Sequence, residues 1–496
     1  MKKNIIANIV GRFWGLLSNF LFIPLYIKFL GFESYSIISF TLLIAGVMAI
    51  LDGGLTATLS REFARNDNSI QEKQKVYKTL ESSFFIIIVT AIFLVFFSSD
   101  FIAEKWLTLK SFSPAQISLF LKVVSFDIGF QLLLRFYMGG LLGLEKQVTA
   151  NMYQVGWGVL RNGLVVFAIM FYPSLNVFFV WQSVASVLFA ILLKLHLDKI
   201  LHENLSSSFK FDIDKIVFSR VGNFAGGMLL IAVIAAINTQ MDKIVISKML
   251  SVESLGYYTL AISLSQGLIV VVNPIATAVL PKFTSFYSSN KNKDASTLYS
   301  KYAVIVAVIV FSFLANIVFF SKSLVWVWTN NLDIATSIEV LVPIVAFAYA
   351  MVAMQVLPYH VAIANGYTKL NNLLGVISIF ITIPGYLFAV KEYQSVGAAS
   401  VFCGVQILTT IIYLFFINKR FLKLHLVTVF IKQIVVPLTV AFSCAFLFSK
   451  VTTVNFENRI FNLTIIGFCT CLTLAITALI SIQWSEVKNI FNITKK

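Results

Sequence analysis

Apolar stretches long enough to cross a bilayer recur along almost the whole chain of 496 residues, and no stretch between them is long enough to form a soluble domain. A helix needs about 20 mostly apolar residues to span a hydrocarbon core roughly 30 Å thick. Of the residues, 58% are hydrophobic and only 12% are charged. Because backbone that faces lipid must satisfy its own hydrogen bonds, the spanning segments are expected to be α-helices. The sequence therefore predicts an all-α polytopic membrane protein.

About fourteen transmembrane helices are predicted. The connections between them are short and contain turn-forming residues, as in Tyr172-Pro173-Ser174 and Asn365-Gly366. The predicted spans cover approximately 5–29, 36–59, 80–99, 117–143, 150–172, 177–195, 217–247, 257–280, 303–321, 341–364, 370–390, 397–417, 434–449 and 460–482.

Basic residues predict the orientation, since lysine and arginine are retained on the cytoplasmic side of a membrane. The connections on the side of the N-terminus carry 24 such residues, whereas those on the opposite side carry 8. Both termini are therefore expected in the cytoplasm. The same loops explain the net charge of +16, because they face an anionic leaflet, and no nucleic-acid partner is expected.

The connections disfavour ATP-driven transport and catalysis. The two longest, 60–83 and 196–216, have about twenty residues each and cannot hold a nucleotide-binding domain, and the chain has no phosphate-binding Gly-rich loop followed by Lys-Ser or Lys-Thr. The largest external segment, 100–116, offers only two carboxylates. Of the four cysteines, all within predicted spans, Cys469 and Cys471 point to different faces of one helix. We expect no enzymatic activity, no cofactor and no metal site.

Two parts of the chain resemble each other. The segment around Glu33 has a counterpart around Glu253, and a basic turn follows each glutamate after about 26 residues. An even number of spans between the counterparts predicts two parallel six-helix repeats around a central cavity, an arrangement that transporters use. The predicted division is 1–216 for the first lobe, 217–417 for the second, and 418–496 for an added helix pair and a cytoplasmic tail.

Polar side chains form stripes within two predicted spans. In the fourth span, Asp127, Gln131 and Arg135 lie on one face about 80° wide. In the fifth span, Gln154 and Arg161 are seven residues apart and share a face. Ionisable groups at membrane depth are costly and usually face a cavity or a partner, so these stripes are candidate parts of a binding site, with hydrogen bonding between helices as the alternative.

The ionisable residues of the predicted spans are mostly basic. This excess favours an anionic substrate, since guanidinium groups bind phosphate with bidentate geometry. Arg12 and Arg220 lie near the cytoplasmic ends of the first and seventh spans, where an arginine side chain can instead extend to the lipid headgroups. The basic residues are Arg12, Lys122, Arg135, Arg161 and Arg220, and the acidic ones considered with them are Asp52 and Asp127. Together with His360, these two aspartates are candidates for coupling to protons or sodium ions.

The chain resembles a known family, the polysaccharide-biosynthesis (Wzx-type) O-antigen and oligosaccharide flippases. This family belongs to the multidrug/oligosaccharidyl-lipid/polysaccharide exporter superfamily. The resemblance covers nearly the full length. It rests on the number of spans and on Asn8-Ile9-Val10-Gly11, Leu30-Gly31-Phe32-Glu33-Ser34-Tyr35, Met241-Asp242-Lys243-Ile244-Val245-Ile246 and Leu255-Gly256-Tyr257-Tyr258-Thr259-Leu260.

The resemblance implies two six-helix lobes around a cavity in the inner (plasma) membrane of a bacterium. It also implies movement of an undecaprenyl-pyrophosphate-linked glycan unit from the cytoplasmic to the periplasmic leaflet. The implied partners are this lipid-linked anionic glycan, membrane lipids, and glycan polymerase and ligase machinery. Our hypothesis is that the headgroup contacts Arg135 and Arg161, with Arg12, Lys122, Gln131, Gln154 and Arg220 as further candidates.

Three alternatives stay open from the sequence. One is a cation-coupled multidrug exporter of the same superfamily, which would be expected to place acidic groups in its cavity. Another is a flippase for a peptidoglycan or teichoic-type lipid-linked precursor. The last is a scaffold for glycan-assembly enzymes, for which neutralising the charged stripes would have no effect.

Overall fold

The computed structural model describes residues 14, 18, 20–65, 69–201, 211–425, 430–452 and 456–481. Over these ranges the chain is helical and contains no strand, only one isolated β-bridge between Thr108 and Ser251. The predicted all-α fold is thereby confirmed. The helices are α1 (Phe20–Leu30), α2 (Phe32–Met48), α3 (Leu55–Ala64), α4 (Ile70–Phe101), α5 (Pro114–Gly143), α6 (Gln147–Gly158), α7 (Val165–Phe171), α8 (Leu175–Ile200), α9 (Lys215–Met249), α10 (Val252–Ser265), α11 (Gly267–Ser288), α12 (Asn292–Phe319), α13 (Ser321–Thr329), α14 (Leu332–Ser337), α15 (Leu341–Ala364), α16 (Lys369–Ile417), α17 (Val436–Val451) and α18 (Arg459–Ser481).

The number of spans agrees with the predicted count of about fourteen. Twelve helical segments of the described residues are long and apolar enough to cross a membrane, and α1 is a shorter apolar helix beside them. The segment Lys369–Leu422 contains a kink at Gln394, whose φ of 53° and ψ of −139° are not helical. Dividing the segment at this residue gives two spans, as the sequence predicted for 370–390 and 397–417.

Local sequence determines where α4 and α5 begin. Ser69 accepts a hydrogen bond from the N–H of Glu72, whose side chain accepts one from the N–H of Ser69. Ser113 and Gln116 form the same reciprocal box at the start of α5, where proline occupies the first helical position. Such boxes satisfy backbone donors that a helix start leaves unpaired. The starts of α4 and α5 are therefore both fixed by local sequence.

The segment before α9 is attached to α4. The N–H of Asp212 donates to Ser82 at 3.0 Å and the N–H of Asp214 to Thr79 at 3.2 Å. Asp214 caps α9 by accepting hydrogen bonds from the N–H groups of the first turn. These bonds favour the ionised carboxylate and hold the pKa of Asp214 below its usual range.

The chain forms two compact units, Met1–Gly256 and Tyr257–Lys496. Helix α9 thus belongs with the helices before it, and the lobe limits predicted at 216 and 417 stay predictions. In a bilayer, helices associate mainly through close packing rather than through the hydrophobic effect. Large side chains buried in the first unit include Phe63, Tyr77, Phe84, Phe136 and Leu141. Those buried in the second unit include Phe283, Tyr299, Leu357 and Tyr413.

Two glycines bring α5 against α3. A Cβ atom on Gly139 would lie 2.5 Å from the Cγ2 atom of Thr56, and one on Gly143 would lie 2.4 Å from the backbone oxygen of Ser60. Neither position can hold a larger residue without a shift of the neighbouring helix. This close approach places the second half of α5 beside α3.

Candidate functional site

Arg161 and Asp127 form a buried ion pair inside the first unit. The Nη2 atom of Arg161 donates to the Oδ2 atom of Asp127 at 2.8 Å, and the two side chains are 10% and 5% exposed. Asp127 also accepts hydrogen bonds from Gln131 at 2.9 Å and from Ser186 at 2.6 Å. Both charges are therefore neutralised where they lie.

The surroundings of Arg161 connect three helical segments. Arg161 lies in the π-helical turn Val159–Leu164 between α6 and α7. Its backbone oxygen accepts a hydrogen bond from Gln182 of α8 at 3.0 Å, and its guanidinium carbon lies 5.3 Å from the centre of the Trp157 ring. Because Asp127 is on α5, the pair holds α5, α6 and α8 together, and it offers a ligand little free surface.

Arg135 shares the stripe with Asp127 but has a different environment. Its side chain is exposed, and it is attracted by Asp52 and repelled by Arg161. The half-buried Asp52 accepts hydrogen bonds from the N–H and the hydroxyl of Thr56, at 3.3 Å and 2.5 Å. Arg135 lies about two turns from the end of α5, well within the predicted span. An exposed guanidinium at this depth requires water or an anionic partner.

Arg220 belongs to a second group of charges, formed by the last turn of α3 and the start of α9. Glu62 is 2% exposed and lies 3.5 Å from Arg220 and 3.9 Å from Arg65. The guanidinium carbon of Arg61 lies 4.5 Å from the ring centre of Phe224. Arg65 and Arg220 share the carboxylate of Glu62, and Arg61 lies in the same turn of α3, so this group has more positive than negative charge.

The other predicted site residues lie apart from these groups. Lys122 forms an ion pair with Asp100 at 3.1 Å, and Gln154 is half-buried on α6. His360 lies on α15 of the second unit, where its Nδ1 atom is 2.8 Å from the backbone oxygen of Val356. Arg12 lies outside the described residues. The structure thus brings together Asp127, Gln131 and Arg161, and separately Asp52 and Arg135.

One buried polar group was missed by the sequence reasoning. Glu81 of α4 accepts hydrogen bonds from Lys194 at 2.5 Å, Tyr137 at 2.7 Å and Tyr77 at 3.3 Å. Asp198 accepts one from Tyr77 at 2.9 Å and lies 3.6 Å from Lys194. Tyr77 and Glu81, like Lys194 and Asp198, are four residues apart and so share a helix face. That spacing could have suggested the group, but all four residues lie at the margins of predicted spans, where charges are ordinary.

The first 287 residues match the family model described as "Polysaccharide biosynthesis protein". The chain belongs to this family. It is also similar to the "Putative O-antigen transporter" of Shigella flexneri, with 21% identity over 373 residues, which are 75% of this chain and 86% of that protein. The family suggested by the sequence resemblance is thereby confirmed.

Solved structures with the same fold include transporters of the exporter superfamily. Lipid II flippase MurJ in an inward closed conformation has a TM-score of 0.72 and 16% identity, with 96% of this chain and 99% of MurJ covered. An inward-facing multidrug resistance MATE family transporter of the MOP superfamily has a TM-score of 0.64 and 15% identity, with coverage of 82% and 94%. At these identities the likeness shows the fold alone. The protein is a multi-pass membrane protein of the polysaccharide-biosynthesis family with a MurJ-like and MATE-like transporter fold.

Proposed function

We propose that this protein is a flippase for an undecaprenyl-pyrophosphate-linked oligosaccharide, an O-antigen or similar surface-glycan repeat unit. It would move this lipid from the cytoplasmic to the periplasmic leaflet of a bacterial inner membrane by alternating access. Three comparisons support the proposal: the polysaccharide-biosynthesis family, the relative named as an O-antigen transporter, and the fold of the lipid II flippase MurJ.

The observation that carries the proposal is the exposed guanidinium of Arg135 within a span. A pyrophosphate offers several anionic oxygens, and a planar guanidinium can bind two of them at once. Asp52 lies near enough to attract Arg135. An incoming pyrophosphate would then replace part of that attraction.

We give the two leading arginines different roles within the proposed substrate site. Arg161 was a leading candidate for pyrophosphate binding, but its charge is engaged by Asp127 at 2.8 Å. We therefore assign Arg161 to positioning α5, α6 and α8, and Arg135 to the headgroup. Arg220 belongs to the group around Glu62, which has more positive than negative charge and would attract the headgroup before the latter reaches Arg135.

The runner-up is a multidrug exporter, which the MATE likeness makes structurally plausible. A carrier of cationic drugs would need an available carboxylate at depth. In the described part of the first unit, Asp127 is buried in an ion pair and Asp52 accepts two hydrogen bonds from Thr56. Arg135, by contrast, is an exposed cation within a span, which favours an anionic substrate.

The test is to delete the gene in its host and determine which leaflet holds the lipid-linked precursor. Complete repeat units that accumulate, and that periplasmic glycan-modifying probes cannot reach, would establish the blocked step as flipping. Normal surface glycan together with increased sensitivity to cationic drugs would refute the proposal in favour of the multidrug alternative.

A further inference from the structure

The connection between α4 and α5 joins three other helices at the end of the spans that the basic-residue bias predicts to face outwards. Its residues Lys105 to Ser111 bind the first turn of α2, the last turn of α9 and the first turn of α10. All of these residues belong to the first unit. We name the residues 105–111 the clasp.

On one side, the clasp binds the last turn of α9. The indole N–H of Trp106 donates to the hydroxyl of Ser247 at 3.1 Å, and the ammonium of Lys248 donates to the backbone oxygen of Lys105 at 2.7 Å. Lys248 also lies 5.2 Å from the ring centre of Trp106. Ser247 is fully buried in this arrangement.

The clasp next pairs with the backbone that connects α9 and α10. Thr108 and Ser251 form a parallel β-bridge, in which the N–H of Val252 donates to the oxygen of Thr108 at 3.1 Å. The ammonium of Lys110 then forms an ion pair with Glu253 in the first turn of α10. A backbone bridge between two connections fixes their register as well as their proximity.

On its other side, the clasp binds α2. The carboxylate of Glu33 accepts the N–H of Lys110 at 2.8 Å and the N–H of Ser111 at 3.1 Å. Glu33 and Glu253 are the two residues that correspond in the sequence repeat, and they meet at the same residue of the clasp. One binds the backbone of Lys110 and the other its side chain.

We propose that the clasp is a releasable lock. It holds the outward end of the first unit closed, and its contacts with residues 247–253 must break for transport. The inference rests on the proposed function only in that the protein transports something by alternating access. The contacts of the clasp with α9 and α10 include the ion pair between Lys110 and Glu253, in which the lysine side chain is 65% exposed. Exposed ion pairs are weak and can exchange for water, so they suit an equilibrium between two states rather than a permanent junction. The Glu33 bonds would keep the clasp on α2 when it opens.

A reversible cross-link tests the lock directly. Adjacent strands lie about 4.8 Å apart, within the range of about 4.4–6.8 Å between Cα atoms that a disulfide accepts. Thr108→Cys and Ser251→Cys would be combined in a protein whose Cys403, Cys444, Cys469 and Cys471 are replaced. The readout is glycan export, or flipping of the purified lipid-linked glycan in vesicles, for the oxidised and the reduced protein.

Oxidation should reduce transport to background, and a reductant should restore it, whereas each single-cysteine variant should be insensitive to both. Full transport by protein that is completely cross-linked would overturn the proposal that the clasp must open.

A second readout needs no substrate and therefore separates failure of the lock from failure of the proposed function. A Ser247→Cys reporter should react slowly with a membrane-impermeant maleimide, because the clasp covers it. Lys110→Glu should speed the reaction by placing two carboxylates together, and adding Glu253→Lys should slow it again by restoring an ion pair. Equal labelling rates in all three proteins would show that the clasp does not open there.

Discussion

Arg161 donates to Asp127 at 2.8 Å across two helices, and both side chains are almost fully buried. Removing one partner of a buried pair leaves the other charge uncompensated, at a cost of about 3–5 kcal/mol. Asp127→Ala should therefore lower the thermal stability of the purified protein and its abundance in the membrane. Thermal unfolding in detergent and quantitative immunoblotting measure these two effects.

The matched control replaces both charges with apolar side chains of similar size. Replacing a buried pair in this way is often neutral or stabilising, so Asp127→Leu combined with Arg161→Met should recover most of the lost stability. If Asp127→Ala instead kept normal stability and abundance but abolished transport, Asp127 would be a coupling or binding residue and our structural assignment would be wrong.

Much of the fold could be predicted from the sequence because a membrane span is a local signal. A window of about 20 apolar residues identifies a spanning helix without knowledge of its neighbours. Helix starts were equally local, as in Ser69 and Glu72 of the box that begins α4. The break at Gln394 was local as well, because it falls between the two predicted spans 370–390 and 397–417.

The partners within the site could not be predicted, because they depend on which helices become neighbours. The polar stripe of α5 was recognised from the sequence, but its members lie in different environments. Asp127 meets Ser186 of α8 and is buried, whereas Arg135 lies two turns further on, near Asp52, and is exposed. Nothing local to residues 127–135 marks this change of neighbour.

The Glu81 group predicts a second effect on stability. Lys194→Met removes the ammonium that lies 2.5 Å from the buried carboxylate of Glu81. The two tyrosines still donate to that carboxylate, so the expected loss is about 1–3 kcal/mol, the cost of a buried group that lacks a partner. Lys199→Met on the same helix, at an exposed position, should change stability by less than about 0.5 kcal/mol. Equal effects of the two variants in a denaturation assay would contradict the assignment.

Close helix packing predicts opposite effects for two helical glycines. A Cβ atom at Gly143 would lie 2.4 Å from the backbone oxygen of Ser60, whereas one at Gly226 would meet nothing within 4 Å. Gly143→Ala should cost about 1–3 kcal/mol through overpacking of α5 against α3. Gly226→Ala should be neutral, or stabilise by up to about 1 kcal/mol through the higher helix propensity of alanine. Thermal unfolding of both variants under one condition provides the comparison.

Arg135 and Lys122 lie on the same helix and carry the same charge, so their variants separate a local role from a general effect of charge. Lys122 is engaged by Asp100 in a partly exposed pair, which is typically worth about 0–1 kcal/mol. Lys122→Ala should therefore leave glycan export nearly unchanged. Arg135→Ala should lose a charged hydrogen bond to the headgroup, worth about 1.5–3 kcal/mol, and with it about tenfold or more in apparent affinity.

Arg135→Lys distinguishes a point charge from a planar, bidentate group. Lysine keeps the attraction to pyrophosphate but not the paired N–H donors, so this variant should fall between wild type and Arg135→Ala at normal protein abundance. The measurement is the rate of flipping against the concentration of lipid-linked glycan in vesicles, with thermal unfolding to exclude misfolding. If Lys122→Ala and Arg135→Ala reduced the rate equally, the headgroup would be attracted by the overall field of the first unit, and Arg135 would lose its assigned role.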